Sequence, residues 1–284
     1  MSDNPQYGAT TDFALPEIRV LALTGSDAVG FAQSQFMNDV GSLGDGQWQW
    51  SGWLDAKGRV QAFFALLRLE PQALWLVTAQ DPEPMLAALS RFVFRSKVRL
   101  DVLPVHGHGR LAAPANARGS TSTGNATDGI ELDFSGSSGA RTLMLTGTPG
   151  GLDGKNSDAW WRHHLVQGCP SLPGTALDNW TPQQLSLQRL NAFSVRKGCY
   201  PGQEIVARTH FLGRAKRGLA RIVTEAAASD EVEITDDKGR AIGQIVCRRG
   251  RDALAVVPLE PADLPLHLAG SVVARAELAS GLER

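Results

Sequence analysis

The sequence predicts an α+β protein that ends in a small, separate β-barrel. Up to about residue 213, apolar strand patterns flank helical ones without the regular alternation of a doubly wound sheet. Beyond Gly213 the texture changes to short strands spaced by turns. The chain has 284 residues, 43% hydrophobic and 20% charged, which is enough for two or three domains with a real core.

Each element follows from local pattern. Residues 18–23 read as a buried strand, and Gly25-Ser26-Asp27 as a turn and N-cap opening a short helix to about Gln35. Residues 48–54 and 60–69 read as strands joined by the turn Asp55-Ala56-Lys57-Gly58-Arg59, with 73–79 as a hairpin partner. Pro82 starts a helix reaching about Phe94, with Met85, Leu86, Leu89 and Phe92 on one stripe. Residues 97–105 return as a strand, and His106-Gly107-His108 reads as a loop. The Gly/Ser/Thr-rich segment 112–129 is expected to be a polar linker or mobile loop. Strands at 130–134 and 141–146 precede helices at 157–166 and 182–190, the second N-capped by Thr181. Strands at 218–224, 231–235, 241–249, 253–257 and 271–278 would form the barrel.

Three widely spaced cysteines, Cys169, Cys199 and Cys247, argue against a disulfide framework and for a reducing compartment. The first residues, Met1 to Gln6, do not read as a secretory signal, and no apolar run nears the ~18 residues of a membrane span. A soluble cytoplasmic protein is expected. Net charge is −1, but Arg189, Arg196, Lys197, Arg208, Arg214, Lys216, Arg217 and Arg221 face Glu204 alone within one segment. Such a surplus suits an anion: a carboxylated cofactor tail, a phosphate or RNA.

The most informative stretch is Lys197-Gly198-Cys199-Tyr200-Pro201-Gly202-Gln203-Glu204, continuing to Arg208. Pro201 fits the first turn of a helix starting near Gly202, which sets Cys199 just before a helix N-terminus and beside Lys197. Both neighbours favour a thiolate, although a lone cysteine is as often a small buried hydrophobe. Neither His106/His108 nor His163/His164 with Cys169 has the spacing of a metal site, and no metal is expected. Of Trp160 and Trp161, one indole is expected to face the core and the other can offer a flat surface to an aromatic ligand, although core packing of both is the more frequent outcome for tryptophans. No serine–histidine–acid signature, phosphate loop or dinucleotide fingerprint is present.

The Lys197–Glu204 run resembles the signature of the YgfZ family of folate-binding proteins, relatives of the glycine-cleavage T-protein, an aminomethyltransferase. Further likenesses fall in family order: Leu23-Thr24-Gly25-Ser26-Asp27-Ala28, Asp55-Ala56-Lys57-Gly58-Arg59, Arg95-Ser96-Lys97-Val98, Gly168-Cys169-Pro170, Thr181-Pro182-Gln183 and Gly213-Arg214-Ala215-Lys216-Arg217. The resemblance implies a three-domain aminomethyltransferase-like fold around a central folate cavity. Residues 1–46 with 105–210 would form the folate-binding domain, 47–104 a second α+β domain, and 211–284 the barrel. It implies tetrahydrofolate as the ligand, held by Trp160, Lys197, Gln203, Glu204 and Arg208, with Cys199, Lys197 and Tyr200 as the functional centre. A second folate-contacting tryptophan of some members falls at Ile18. Implied partners are iron–sulfur proteins or tRNA-modifying enzymes, with direct RNA binding an alternative; a monomer is expected. Where the T-protein carries paired aspartates, this chain has Gln61-Ala62, and its further acid falls near Val166. Neither Gln61 nor Ala62 can act as an acid or base at neutral pH, so the cavity is expected without the aminomethyl-transfer machinery. A folate-dependent one-carbon transferase or demethylase is the enzyme alternative, with Glu204 the nearby acid.

Overall fold

The computed structural model describes residues 11–170, 179–213, 215–224 and 232–284. Arg214 of the basic segment and residue 231 of an expected strand lie outside these. The chain opens with β1 (Phe13–Leu15), β2 (Arg19–Thr24) and helix α1 (Ala28–Gln35). Next come β3 (Gln47–Leu54), β4 (Val60–Glu70), β5 (Ala73–Thr78), α2 (Glu83–Ser90) and β6 (Arg99–Leu103). Strands β7 (His106–Arg110), β8 (Thr123–Asn125), β9 (Gly129–Asp133) and β10 (Thr142–Thr146) lead to α3 (Gly154–Val166). After a 3₁₀ turn at Leu187–Leu190 and α4 (Gln203–Leu212), six strands follow: β11 (Arg217–Val223), β12 (Glu233–Thr235), β13 (Ala241–Arg249), β14 (Asp252–Pro258), β15 (Leu266–Leu268) and β16 (Ser271–Ala276).

These strands form two five-stranded antiparallel sheets, ordered β3-β4-β5-β2-β6 and β1-β7-β10-β9-β8, and a closed barrel ordered β11-β14-β13-β12-β15-β16. Period-two alternation explains why the first sheet is covered on both faces. In β4, Phe63, Ala65 and Leu67 join one apolar cluster while Ala62, Phe64 and Leu66 join another. Helices α1 and α2 cover the second cluster through Ala28, Phe31, Ala32, Met85 and Leu89. The first cluster runs on into β9, β10 and α3 and holds Trp48, Trp50, Trp160 and Trp161. Strand β2 pairs between β5 and β6, in the sheet otherwise built from 47–103, although the expected division grouped residues 1–46 with 105–210. No helix among the described residues is long and apolar enough to cross a membrane.

Several local expectations are corrected. Helix α2 stops at Ser90, and Phe92 and Phe94 beyond it are exposed rather than continuing the apolar stripe. His106-Gly107-His108 is a strand, not a loop: a side chain on Gly107 would collide with Ile18, and one on Gly109 with Phe13. Poor strand propensity is overridden there by the need for close packing. Segment 112–129 is not a linker. The Glu131 carboxylate accepts from the backbone N–H groups of Ala115, Asn116 and Ala117 at 2.8, 2.8 and 2.9 Å, and Asp133 from that of Gly119 at 2.9 Å. Helix α3 begins three residues before the expected Ser157, capped by Asp153 on Asn156 N–H. The expected helix at 182–190 is a run of turns ending in the 3₁₀ segment, with Ser186 left-handed at φ 51°. Strand β15, three residues long, is a further barrel strand beyond those that the sequence pattern predicts.

Candidate functional site

Two turns interlock to build the motif. Gly202 caps α4 at φ 76°, and a β-carbon there would come within 2.6 Å of Asp55 O and 2.7 Å of the Gly58 α-carbon. Gly58 in turn faces Ile205 of α4, whose β-carbon would stand 2.9 Å from a side chain added at 58. The Asp55–Arg59 turn is self-braced, since Asp55 Oδ1 accepts from Lys57 N and Arg59 N at 2.9 and 2.7 Å. Glycine at both contact positions therefore lets backbone meet backbone.

Lys197 points inward. Its ammonium donates to the carbonyls of Phe36 at 2.6 Å and Asn38 at 2.9 Å and lies 5.0 Å from the centre of the Tyr200 ring. Burial, only partly offset by Asp39, brings its pKa down to about 8. Asn38, which sequence reasoning passed over, completes the clamp by donating to Trp50 O at 2.8 Å and Asn191 O at 2.7 Å. The one signal for it is a polar residue between Met37 and Val40, both fully buried. Tyr200 is buried, donates to Ser194 O at 3.3 Å, and has its phenol pKa pushed up to about 12 by burial. Gln203 Nε2 donates to Lys197 O at 3.2 Å.

Among these fixed neighbours Cys199 is exposed, whereas Cys169 and Cys247 are buried. The ammonium of Lys197 is thus committed to main-chain carbonyls rather than to the thiol, contrary to the expected pairing. Glu204, in the first turn of α4, and Arg208, one turn later, are both exposed. Of the eight cations in the basic segment, Arg189 donates to the carbonyls of Gln167 and Ala279, Lys197 is buried, and Arg221 binds Asp252. The surplus is therefore partly structural, not one continuous anionic-ligand face.

Trp160 belongs to the same apolar cluster as Tyr200 but is fully buried, so its expected open stacking face is covered. The Arg141 guanidinium lies 4.8 Å from its ring centre, and Phe134 and His164 pack at 5.8 and 6.1 Å. Arg141 is wholly buried; it also donates to Trp160 O and meets His164 Nδ1 and Gln167 Oε1. Residues 278–284 press against this aromatic group: Trp50 Nε1 donates to Leu282 O at 2.9 Å, and the Arg284 guanidinium sits 5.4 Å from the Trp48 ring. The indole N–H groups of Trp160 and Trp161 are buried with no hydrogen-bond partner among the described residues.

His108 Nε2 contacts Thr148 O at 2.9 Å, and burial pushes the Cys169 thiol up to about 12. Among the described residues no group of three or more His, Cys, Asp or Glu side chains is placed to hold a metal ion.

No protein-family model matches the chain. It is 29% identical over 270 residues to the tRNA-modifying protein YgfZ of Escherichia coli O157:H7, covering 88% of this chain and 82% of that one. The Vibrio vulnificus (strain CMCP6) protein of the same name is 28% identical over 264 residues, covering 81% and 80%. Among solved structures, the glycine cleavage system aminomethyltransferase T from Bartonella henselae superposes with a TM-score of 0.68. It covers 96% of this chain and 86% of its own at 15% identity, a likeness of fold. The chain thus shares the aminomethyltransferase T fold, closing in a six-stranded barrel, and is similar over most of its length to proteins named tRNA-modifying protein YgfZ.

Proposed function

We propose that this protein binds tetrahydrofolate and supports iron–sulfur enzymes that modify tRNA, acting in the cytoplasm. The observation that carries the reading is the Cys199 turn, where an exposed thiol is held between a clamped Lys197 and a buried, hydrogen-bonded Tyr200. A merely structural cysteine gains nothing from being held outward by buried neighbours. The name of the relatives supports a place in tRNA modification, and the T-protein fold supports a folate-sized ligand.

In this reading Arg208 is the exposed cation for the glutamyl tail, and Lys197 shapes the turn rather than meeting the ligand. Trp160 would serve the pterin once Arg141 or residues 278–284 yield, because its indole N–H, without a partner among the described residues, would gain an acceptor from a heteroaromatic ligand. Gln61 and Ala62 in β4 offer no proton-transfer group, which favours a binding factor over an aminomethyltransferase.

The test is calorimetric titration with tetrahydrofolate. The parent should bind, and Trp160→Phe, which keeps the core filled, should bind about tenfold more weakly, a loss of ~1.4 kcal/mol. Absence of binding by the parent would remove folate from the proposal; equal binding by Trp160→Phe would move the pterin elsewhere.

A further inference from the structure

A crevice of about 680 Å³ opens between α3 and the barrel, and no residue of the Cys199 turn lines it. Five cations border it: Lys155 and Arg162 from α3, Arg221 from β11, and Arg249 and Arg251 from the β13–β14 hairpin. Among the described residues two carboxylates, Asp158 and Asp252, oppose them, a surplus of three positive charges within that lining.

The arrangement is built from a buried centre. The Asp252 side chain is 1% exposed; its Oδ2 accepts from Arg162 Nε at 2.7 Å and its Oδ1 from Arg221 Nε at 2.8 Å. One carboxylate thus holds two guanidinium groups side by side, leaving their charge under-compensated. Among the described residues Arg162 bonds through Nε alone and is 62% exposed, which leaves its terminal nitrogens as donors. Arg251 Nε donates to Thr224 O, and Lys155 is exposed without an ion pair among the described residues. Arg249 pairs with Asp158 at 2.7 Å.

Four of the five cations are arginines, whose planar forks match oxyanions in paired hydrogen bonds. The volume falls in the range of small-ligand sites, about 300–1,000 Å³. Among the described residues no Phe, Tyr or Trp lines it, so they offer none of the flat surfaces on which bases stack. We propose that this crevice binds the phosphate groups of a polyanionic ligand, with Asp252 setting Arg162 and Arg221 to receive them. An oligophosphate and an RNA backbone present the same chemistry. The inference stands independently of the folate reading.

Binding of inorganic tripolyphosphate and of unfractionated tRNA to the full chain, at about 50 and 200 mM salt, tests it. Lys155→Glu/Arg251→Glu should weaken binding at least tenfold with an unchanged thermal midpoint. Lys238→Glu, exposed in the β12–β13 turn, should bind like the parent. If the double variant does not fold, Lys155→Ser alone should still cost about threefold. Tripolyphosphate binding assigns a small ligand, and tRNA binding without it assigns the polymer. Failure of the parent to bind either probe at low salt, or unchanged binding by Lys155→Glu/Arg251→Glu, overturns the proposal.

Discussion

Cys199 and Lys197 stand two residues apart, yet their environments are opposite. Cys199 is exposed, so Cys199→Ala should change unfolding free energy by less than ~0.5 kcal/mol while abolishing support of tRNA modification in cells. A loss of stability of ~2 kcal/mol or more would make it a packing residue instead. Lys197→Met should do the reverse. It removes two charge-assisted hydrogen bonds and leaves the carbonyls of Phe36 and Asn38 buried without a donor, at a cost of about 2–4 kcal/mol. Denaturant unfolding of the two variants side by side separates a functional from a structural member of the motif.

At the scale of elements, the interlocked turns decide where α4 begins. Gly202 holds a left-handed conformation and touches the 55–58 backbone, so neither feature tolerates a side chain. Gly202→Ala should destabilise by at least ~2 kcal/mol, combining φ strain with a backbone clash. Gly198, where an added β-carbon meets nothing within 4 Å, is the matched control, and Gly198→Ala should cost under ~1 kcal/mol. Comparable losses at both positions in urea titrations would refute the interlock. The same packing logic explains β7, where two glycines accommodate Ile18 and Phe13.

Across the whole molecule, two adjacent histidines make stability depend on acid. Burial, then Arg141, holds His164 well below the usual imidazole value, and burial with Arg141 and Arg162 lowers His163 to about 4. Both folded values lie below the unfolded value of 6.5, so the unfolded chain takes up protons first. Their contribution is complete above pH 6.5 and is lost as pH falls below it. For the fully buried His164 the slope approaches ~1.4 kcal/mol per pH unit. Urea unfolding between pH 7.5 and 5.5 should show this decline, and His164→Gln should flatten it. Equal slopes in both chains would mean that His164 does not set the acid limit.

The strand-rich α+β class, the closing barrel and the turn that opens a helix within the Lys197–Glu204 run were all legible in the sequence, because each is written in local period or spacing. Strands β3, β4 and β5 were legible through alternation and glycine turns, and α4 through Pro201 and Gly202. Burial was not legible in the same way. Only the tertiary structure decided that Lys197 turns to the carbonyls of α1's C-terminal end, that Trp160 lies under Arg141, and that segment 112–129 is fixed by Glu131 and Asp133. Each of these outcomes depends on partners 14 to 161 residues away in sequence. Local pattern specifies which face a residue shares, whereas hydrogen-bond partners and charge compensation are set by chain crossings that no local window contains.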